Sequence, residues 1–253
     1  MDRKPLNLWW AYPDDLLRDG VAEACTGLLG EDERARVARF KFEKNRRESI
    51  TTRALARMAL SSCRMVAPEA WRYAVNEHGK PSVEPGCGLE FNLSNSLGLV
   101  VCLIAEGAEV GVDVEPMQRA TEILKLAPRV FSAEEQAQLE ALAEGDREER
   151  ALSLWTLKEA YIKARGMGLA LPLDKFSFLF GGAEGVRLEI DASLEDKADR
   201  WNFFMLDQAG HRVAGMVERS AGRELDVWEA RPANAAPTRV NAAEVRWYPL
   251  DDR

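Results

Sequence analysis

Residues 109–116 read EVGVDVEP, and their alternation separates two kinds of side chain. On a strand, Val110, Val112 and Val114 share one face while Gly111, Asp113 and Glu115 share the other. The Cα atoms of Asp113 and Glu115 then stand about 6.6 Å apart, near enough for both carboxylates to serve one cation. Like charges so placed call for a counter-ion. A hard, oxygen-seeking ion such as Mg²⁺ suits one or two carboxylates together with phosphates and water. A plain solvated strand face is compatible with the same alternation.

A second group lies farther along, in ALSLWTLKEAYIKARGMGLALPL (151–173). At about 100° per residue, Trp155, Lys158, Glu159, Ile162 and Lys163 fall within an arc of about 140° on a helix, so two lysines and a carboxylate sit beside its apolar stripe. An ordinary amphipathic helix with rim lysines and a Glu159–Lys163 pair at i, i+4 would look similar. Phosphate-binding candidates occur elsewhere. HGKP puts Lys80 at a tight turn, where its ammonium would act as a point charge. Arg46, Arg47 and Arg53 stand near the start of a helical stretch, where guanidinium groups can fork onto phosphate oxygens.

The elements that must position these residues follow from hydrophobic period and turn signals. NLWWAY (7–12) reads as a first strand, helical stretches follow near 30–42 and 45–64, and WRYAVNE, LEFNLSNS and LGLVVCLIAE read as strands. The order then recurs: a strand at 109–116, helices near 119–129, 132–144 and 148–165, and strands KFSFLF, VRLEI, NFFMLD and RVAGMVE. This repeat of element order predicts an α+β fold of two similar subdomains, 1–108 and 109–220, followed by an extension over 221–253. Within that extension RPANAAPTRVNAA reads as a surface loop or an edge-hugging segment.

The chain of 253 residues, 46% hydrophobic and 30% charged, has an ordinary globular composition and is long enough to bury a substantial core. It contains no apolar run of membrane-spanning length and no basic-then-apolar start, so the expectation is a cytoplasmic protein with no membrane partner. A net charge of −8 argues against a nucleic-acid partner, although arginine is concentrated in 33–60. Cys25, Cys63, Cys87 and Cys102 form no CxxC and have only His78 and His211 for company, which supports neither a zinc site nor a disulfide framework.

Taken together, GKP (79–81), FNLSNS (91–96), GVDVE (111–115), FSAEEQ (131–136) and WTLKEAYIKARGMGL (155–169) occur in one order and at one spacing. Over residues 30–220 that ensemble resembles the 4′-phosphopantetheinyl transferases of the Sfp-like group. The resemblance implies their fold, two subdomains related by pseudo-twofold symmetry, in a monomeric enzyme. It implies transfer of the 4′-phosphopantetheine arm of coenzyme A to a serine of an apo acyl or peptidyl carrier protein, with release of 3′,5′-ADP. The carrier would serve fatty-acid, polyketide or nonribosomal-peptide synthesis.

By the same resemblance Asp113, Glu115 and Glu159 hold Mg²⁺, with Mn²⁺ as an alternative, in the second subdomain, while the first contacts the nucleotide of coenzyme A. Lys158 and Lys163 neutralise phosphate charge, and Lys163 also stabilises the departing group. Lys80 and Pro81 lie beside the adenine and phosphates, Ser94 contacts a phosphate, and Arg47 or Arg53 holds the 3′-phosphate. The base for the carrier serine is either Glu159 or Glu135 of FSAEEQ. Asn95 departs from the pattern, since many relatives have histidine there. Asparagine can donate a hydrogen bond to a phosphate but carries no charge. Two other functions are compatible with parts of this set: a catalytically weak carrier-binding module, and a Mg²⁺-dependent hydrolase of the coenzyme A pyrophosphate.

Overall fold

Alternating apolar residues build two sheets, and the alternation decides what each sheet faces. The computed structural model describes residues 5–18, 21–181, 185–222, 224–231, 237–240 and 245–248. The first half runs β1 (Leu6–Ala11), α1 (Pro13–Leu16), α2 (Ala22–Gly27), α3 (Glu31–Ala38), α4 (Glu43–Cys63), β2 (Tyr73–Val75), β3 (Pro81–Val83), β4 (Leu89–Ser96) and β5 (Leu99–Glu106). The second runs β6 (Val110–Pro116), α5 (Ala120–Val130), α6 (Ala133–Ala141), α7 (Glu144–Arg165), β7 (Phe176–Phe180), β8 (Val186–Ile190), β9 (Trp201–Gln208) and β10 (His211–Glu218). The long helices and paired strands fall where the hydrophobic period puts them. The short α1 and α2 were not anticipated, since a helix of one or two turns carries too little period to read.

After the second half the chain returns to both sheets through β11 (Leu225–Glu229), β12 (Thr238–Arg239) and β13 (Arg246–Tyr248). The first sheet has the order β12-β11-β1-β5-β4 and the second β13-β9-β10-β6, with β2-β3 and β7-β8 as separate hairpins. β11 lies parallel to β1, in register from Leu6 opposite Leu225 to Trp10 opposite Glu229. Residues 232–236 and 241–243 of the Pro/Ala/Asn-rich segment lie outside the described residues.

Three cores follow from strand alternation. Trp9 and Ala11 of β1 and Val100, Cys102 and Ile104 of β5 pack under α4, against Ile50, Ala54, Leu55, Ala59 and Leu60. The opposite residues of the same strands, Leu8, Trp10, Val101 and Leu103, meet Val110, Val112 and Val114 of β6 and Val213 and Val217 of β10 between the sheets. The outer face of the second sheet packs on α7 through Phe203, Met205, Ala214 and Met216, in one cluster with Leu154, Leu157 and Tyr161 of α7, Ile123 of α5 and Leu139 of α6. The layers are therefore helices, sheet, sheet, helices, with β4 and β6 at the edges where the halves meet. Among the described residues no helix is long and apolar enough to cross a membrane.

Candidate active site

β6 presents its valines to the core between the sheets, which turns Gly111, Asp113 and Glu115 toward α7. Gly111 is what lets the helix come so close. A Cβ there would fall inside van der Waals contact with the carbonyl oxygen of Ala160 and the amide nitrogen of Ala164. With that gap closed, the α7 turn carrying Glu159 and Lys163 lies over the strand. Lys163 Nζ donates to Asp113 Oδ1 at 2.6 Å and to Ser94 Oγ at 2.8 Å, and Ser94 donates to the same Asp113 oxygen at 2.9 Å. Ser94 reaches it because β4 alternation turns Asn92 and Ser94 toward β6, where Asn92 Oδ1 accepts from the Val112 amide at 2.9 Å.

The other oxygen of Asp113, Oδ2, is buried with no hydrogen-bond partner. Glu115 accepts from Arg119 Nη1 at 2.7 Å on both oxygens and from Trp155 Nε1 at 2.9 Å. Burial, and then the charge of Asp113, still holds its carboxyl above the usual range. Glu159 is moved further. Burial first, and then Asp113, pushes its carboxyl up to about 7, with Glu115 adding to the shift and Lys163 and Arg119 opposing it. Three carboxylates therefore crowd one junction, where Asp113 disfavours the ionised forms of Glu115 and Glu159.

A cation would relieve that crowding, and the donor set is all oxygen, as Mg²⁺ requires. Among the described residues no three His, Cys, Asp or Glu side chains are gathered into a ready metal cage. The residues fit an ion held partly by carboxylate and partly by substrate phosphate and water, rather than one enclosed by protein.

The comparisons point to one family from both halves. The family model described as 4′-phosphopantetheinyl transferase, N-terminal, matches residues 20–107, and that of the 4′-phosphopantetheinyl transferase superfamily matches 109–216. A phosphopantetheinyl transferase of Thraustochytrium sp. is 30% identical over 208 residues, 76% of this chain and 71% of that protein. The chain belongs to the 4′-phosphopantetheinyl transferase family. The transferase HetI of Nostoc sp. is 28% identical over 219 residues, 85% of this chain and 87% of its own. A Bacillus subtilis 4′-phosphopantetheinyl transferase is 28% identical over 172 residues, 68% of this chain and 75% of its own.

In this transferase the structure gathers Ser94, Asp113, Glu115, Glu159 and Lys163, but not every residue expected at the site. Lys158 is one helical step from Glu159 and points the other way, with Nζ on the carbonyls of Leu173 and Phe176 at 2.8 and 2.6 Å. Its ion pair is with Glu135 at 2.8 Å, both side chains being fully enclosed. Glu135 also accepts from the amides of Ser132 and Phe178, closing the capping box of α6. These two tie α6, α7 and β7 together, which corrects the expectation of a phosphate ligand in Lys158 and a base in Glu135.

A cleft of about 1130 Å³ opens in the first half, lined by Arg34, Arg36, Arg53, Gly79, Pro81 and Leu93 among others. Arg53 stands in it, bonded to Ser49 Oγ at 2.9 Å. Arg47 does not: its Nη2 donates to the Pro13 and Leu17 carbonyls at 3.2 and 3.5 Å, anchoring α1 to α4. Asn95 is exposed and lies on the β4 face opposite Ser94, the face of Leu93. Lys80 is turned from the cleft toward Ala164 and Glu109. Sequence reasoning missed Asn92, Arg119 and Trp155 as partners of the carboxylate strand. The spacing of Arg119 from Glu115 was a signal for one of them, because the chain turns from strand to helix between them.

Proposed function

We propose that this transferase moves the 4′-phosphopantetheine arm of coenzyme A to a serine hydroxyl of an apo acyl or peptidyl carrier protein, releasing 3′,5′-ADP and requiring Mg²⁺ or Mn²⁺. One observation carries the reading: Asp113, Glu115 and Glu159 crowd together beside Lys163, and a buried Asp113 oxygen has no partner. Asp113, Glu115 and Glu159 would hold the ion, which when bound polarises phosphate oxygens and offsets developing charge. Ser94 and Lys163 fix the orientation of Asp113, and the Lys163 ammonium neutralises phosphate charge as the leaving group departs. Glu159 takes the serine proton through an intervening water.

In the same reading residues 1–108 contact the nucleotide and 109–220 supply the metal and catalytic groups, while β11, β12 and β13 of the 221–253 extension add strands to both sheets. Arg53 holds the 3′-phosphate in the cleft beside Pro81, and Asn95 donates to a phosphate from the same side. The enzyme acts as a cytoplasmic monomer, without nucleic-acid or membrane partners. Chromatography of coenzyme A reactions tests the proposal. 3′,5′-ADP is expected only when apo-carrier and Mg²⁺ are both present. Its release at full rate without carrier would make the protein a pyrophosphate hydrolase instead.

A further inference from the structure

Helix α7 carries Glu159 and Lys163, and its last turn is finished by the other half of the molecule. Gly166, at φ 62°, closes the helix by donating to the Ile162 and Lys163 carbonyls. Two further carbonyls at that end take side chains from the turn between β2 and β3. Lys80 Nζ donates to Ala164 O at 2.7 Å, and Asn76 Nδ2 donates to Gly166 O at 2.8 Å. Lys80 Nζ also ion-pairs with Glu109, the residue before β6, and its side chain is only 13% exposed. The turn is braced internally, since Asn76 Oδ1 accepts from the His78 and Lys80 amides at 3.0 and 2.8 Å. Gly166 supplies the room as well as the positive φ: a Cβ there would lie 2.8 Å from the Lys80 chain and 3.2 Å from Asn76 Nδ2.

Lys80 thus touches the beginning of β6 and the end of α7, the two elements that bear all three carboxylates. Three residues of strand lie between Glu109 and Asp113, and one helical turn and a residue separate Glu159 from Ala164. On the other side of the same turn, Gly79 and Pro81 line the cleft of the first half. We propose that Lys80 and Asn76 are positioning residues, a clasp that sets α7 on β6 and ties the geometry of the carboxylates to the nucleotide cleft, rather than ligands of a phosphate.

This rests on the function proposed above, and the test separates the two. Three variants are compared with the parent: Lys80→Met, Asn76→Ala and Glu109→Gln. The last leaves the Lys80 charge in place. Hydrogen exchange at the end of α7 is measured without any ligand, Mg²⁺ and 3′,5′-ADP binding by calorimetry, and kcat and KM for coenzyme A by turnover. A clasp predicts faster exchange at the Gly166 amide in all three variants. It predicts about tenfold weaker Mg²⁺ binding, as expected when the support of a ligand is lost, and a matching fall in kcat. Binding of 3′,5′-ADP without metal should change by less than about twofold, and Lys80→Met combined with Glu109→Gln should cost no more than Lys80→Met alone, because the Lys80–Glu109 pair is already gone in that variant.

The clasp is overturned if Lys80→Met weakens 3′,5′-ADP binding about tenfold while Glu109→Gln leaves binding and exchange untouched, since a charge-assisted contact to phosphate is then the role of the lysine. If Lys80→Met does not fold, Glu109→Gln decides alone: parental exchange and Mg²⁺ binding contradict the clasp. Absence of carrier modification by the parent protein would defeat the proposed function, and the exchange measurement would still report on the clasp.

Discussion

Asp113 meets Ser94 and Lys163 and keeps a buried Oδ2 without a partner, so under the proposed function its replacement should remove chemistry and leave the fold. Asp113→Asn keeps the shape and loses the charge. We expect kcat to fall by about 10²-fold or more, as when a preorganised electrostatic group is lost, with an unchanged circular dichroism spectrum. A variant with parental kcat would show that Asp113 holds nothing the reaction needs. Glu159 gives a pH signature. Its folded carboxyl sits near 7, above the ordinary value of 4.5. Its contribution to the stability of the metal-free protein is therefore fully present below the ordinary value and lost as pH rises through the folded one. In chelator, the melting temperature should drop between about pH 4.5 and about pH 7, and Mg²⁺ should restore it more at the higher pH. An equal Mg²⁺ shift at both pH values would contradict this. Asp113, Glu115, Glu159 and Lys163 were legible because residue type and a short repeat put them on defined faces. Lys158 was misread because a helical arc does not say which neighbour each edge of the arc meets, and α6 and β7 claim that edge.

At the scale of elements, the approach of α7 to β6 depends on a missing side chain. Gly111→Ala would force the helix from the strand, and we expect about 3 kcal/mol of lost stability in urea unfolding, the upper end of the cost of overpacking, with activity falling further than the folded fraction explains. An alanine variant as stable as the parent would mean that helix and strand are not in that contact. The Glu135–Lys158 pair behaves differently. Breaking it by Lys158→Met strands a buried carboxylate and should cost about 3–5 kcal/mol, while Lys158→Met with Glu135→Leu should recover much of the loss. Specific activity per folded molecule of the double variant should stay near that of the parent. A collapse of kcat with stability recovered would return Glu135 to the catalytic set. The halves and their long elements were visible in the period of the sequence. The return of β11 beside β1 was not, because a five-residue strand far along the chain gives no sign of its partner.

The whole molecule carries a net charge of −8, so an acidic carrier would be repelled unless the contact face differs from the average. On α5, Lys125 and Arg129 are exposed, whereas Arg119 is occupied with Glu115 and Glu122. Reversing Lys125 and Arg129 to glutamate should raise KM for an acidic carrier and leave KM for coenzyme A unchanged, and added salt should weaken the parent's carrier affinity mainly through association rate. Unaltered carrier kinetics in the double reversal would put docking on another face. The layered arrangement, with a cleft in one half and crowded carboxylates where the halves meet, underlies the central claim of the proposed function: that an arm of coenzyme A is delivered to a serine only with a cation in place. Intact-mass analysis of an apo-carrier incubated with the protein and coenzyme A measures that directly. The carrier should gain the mass of one phosphopantetheine arm with Mg²⁺, and gain nothing in chelator, with Asp113→Asn, or when its serine is replaced by alanine. Equal modification in chelator, or no modification of any apo acyl or peptidyl carrier with Mg²⁺ present, would contradict it.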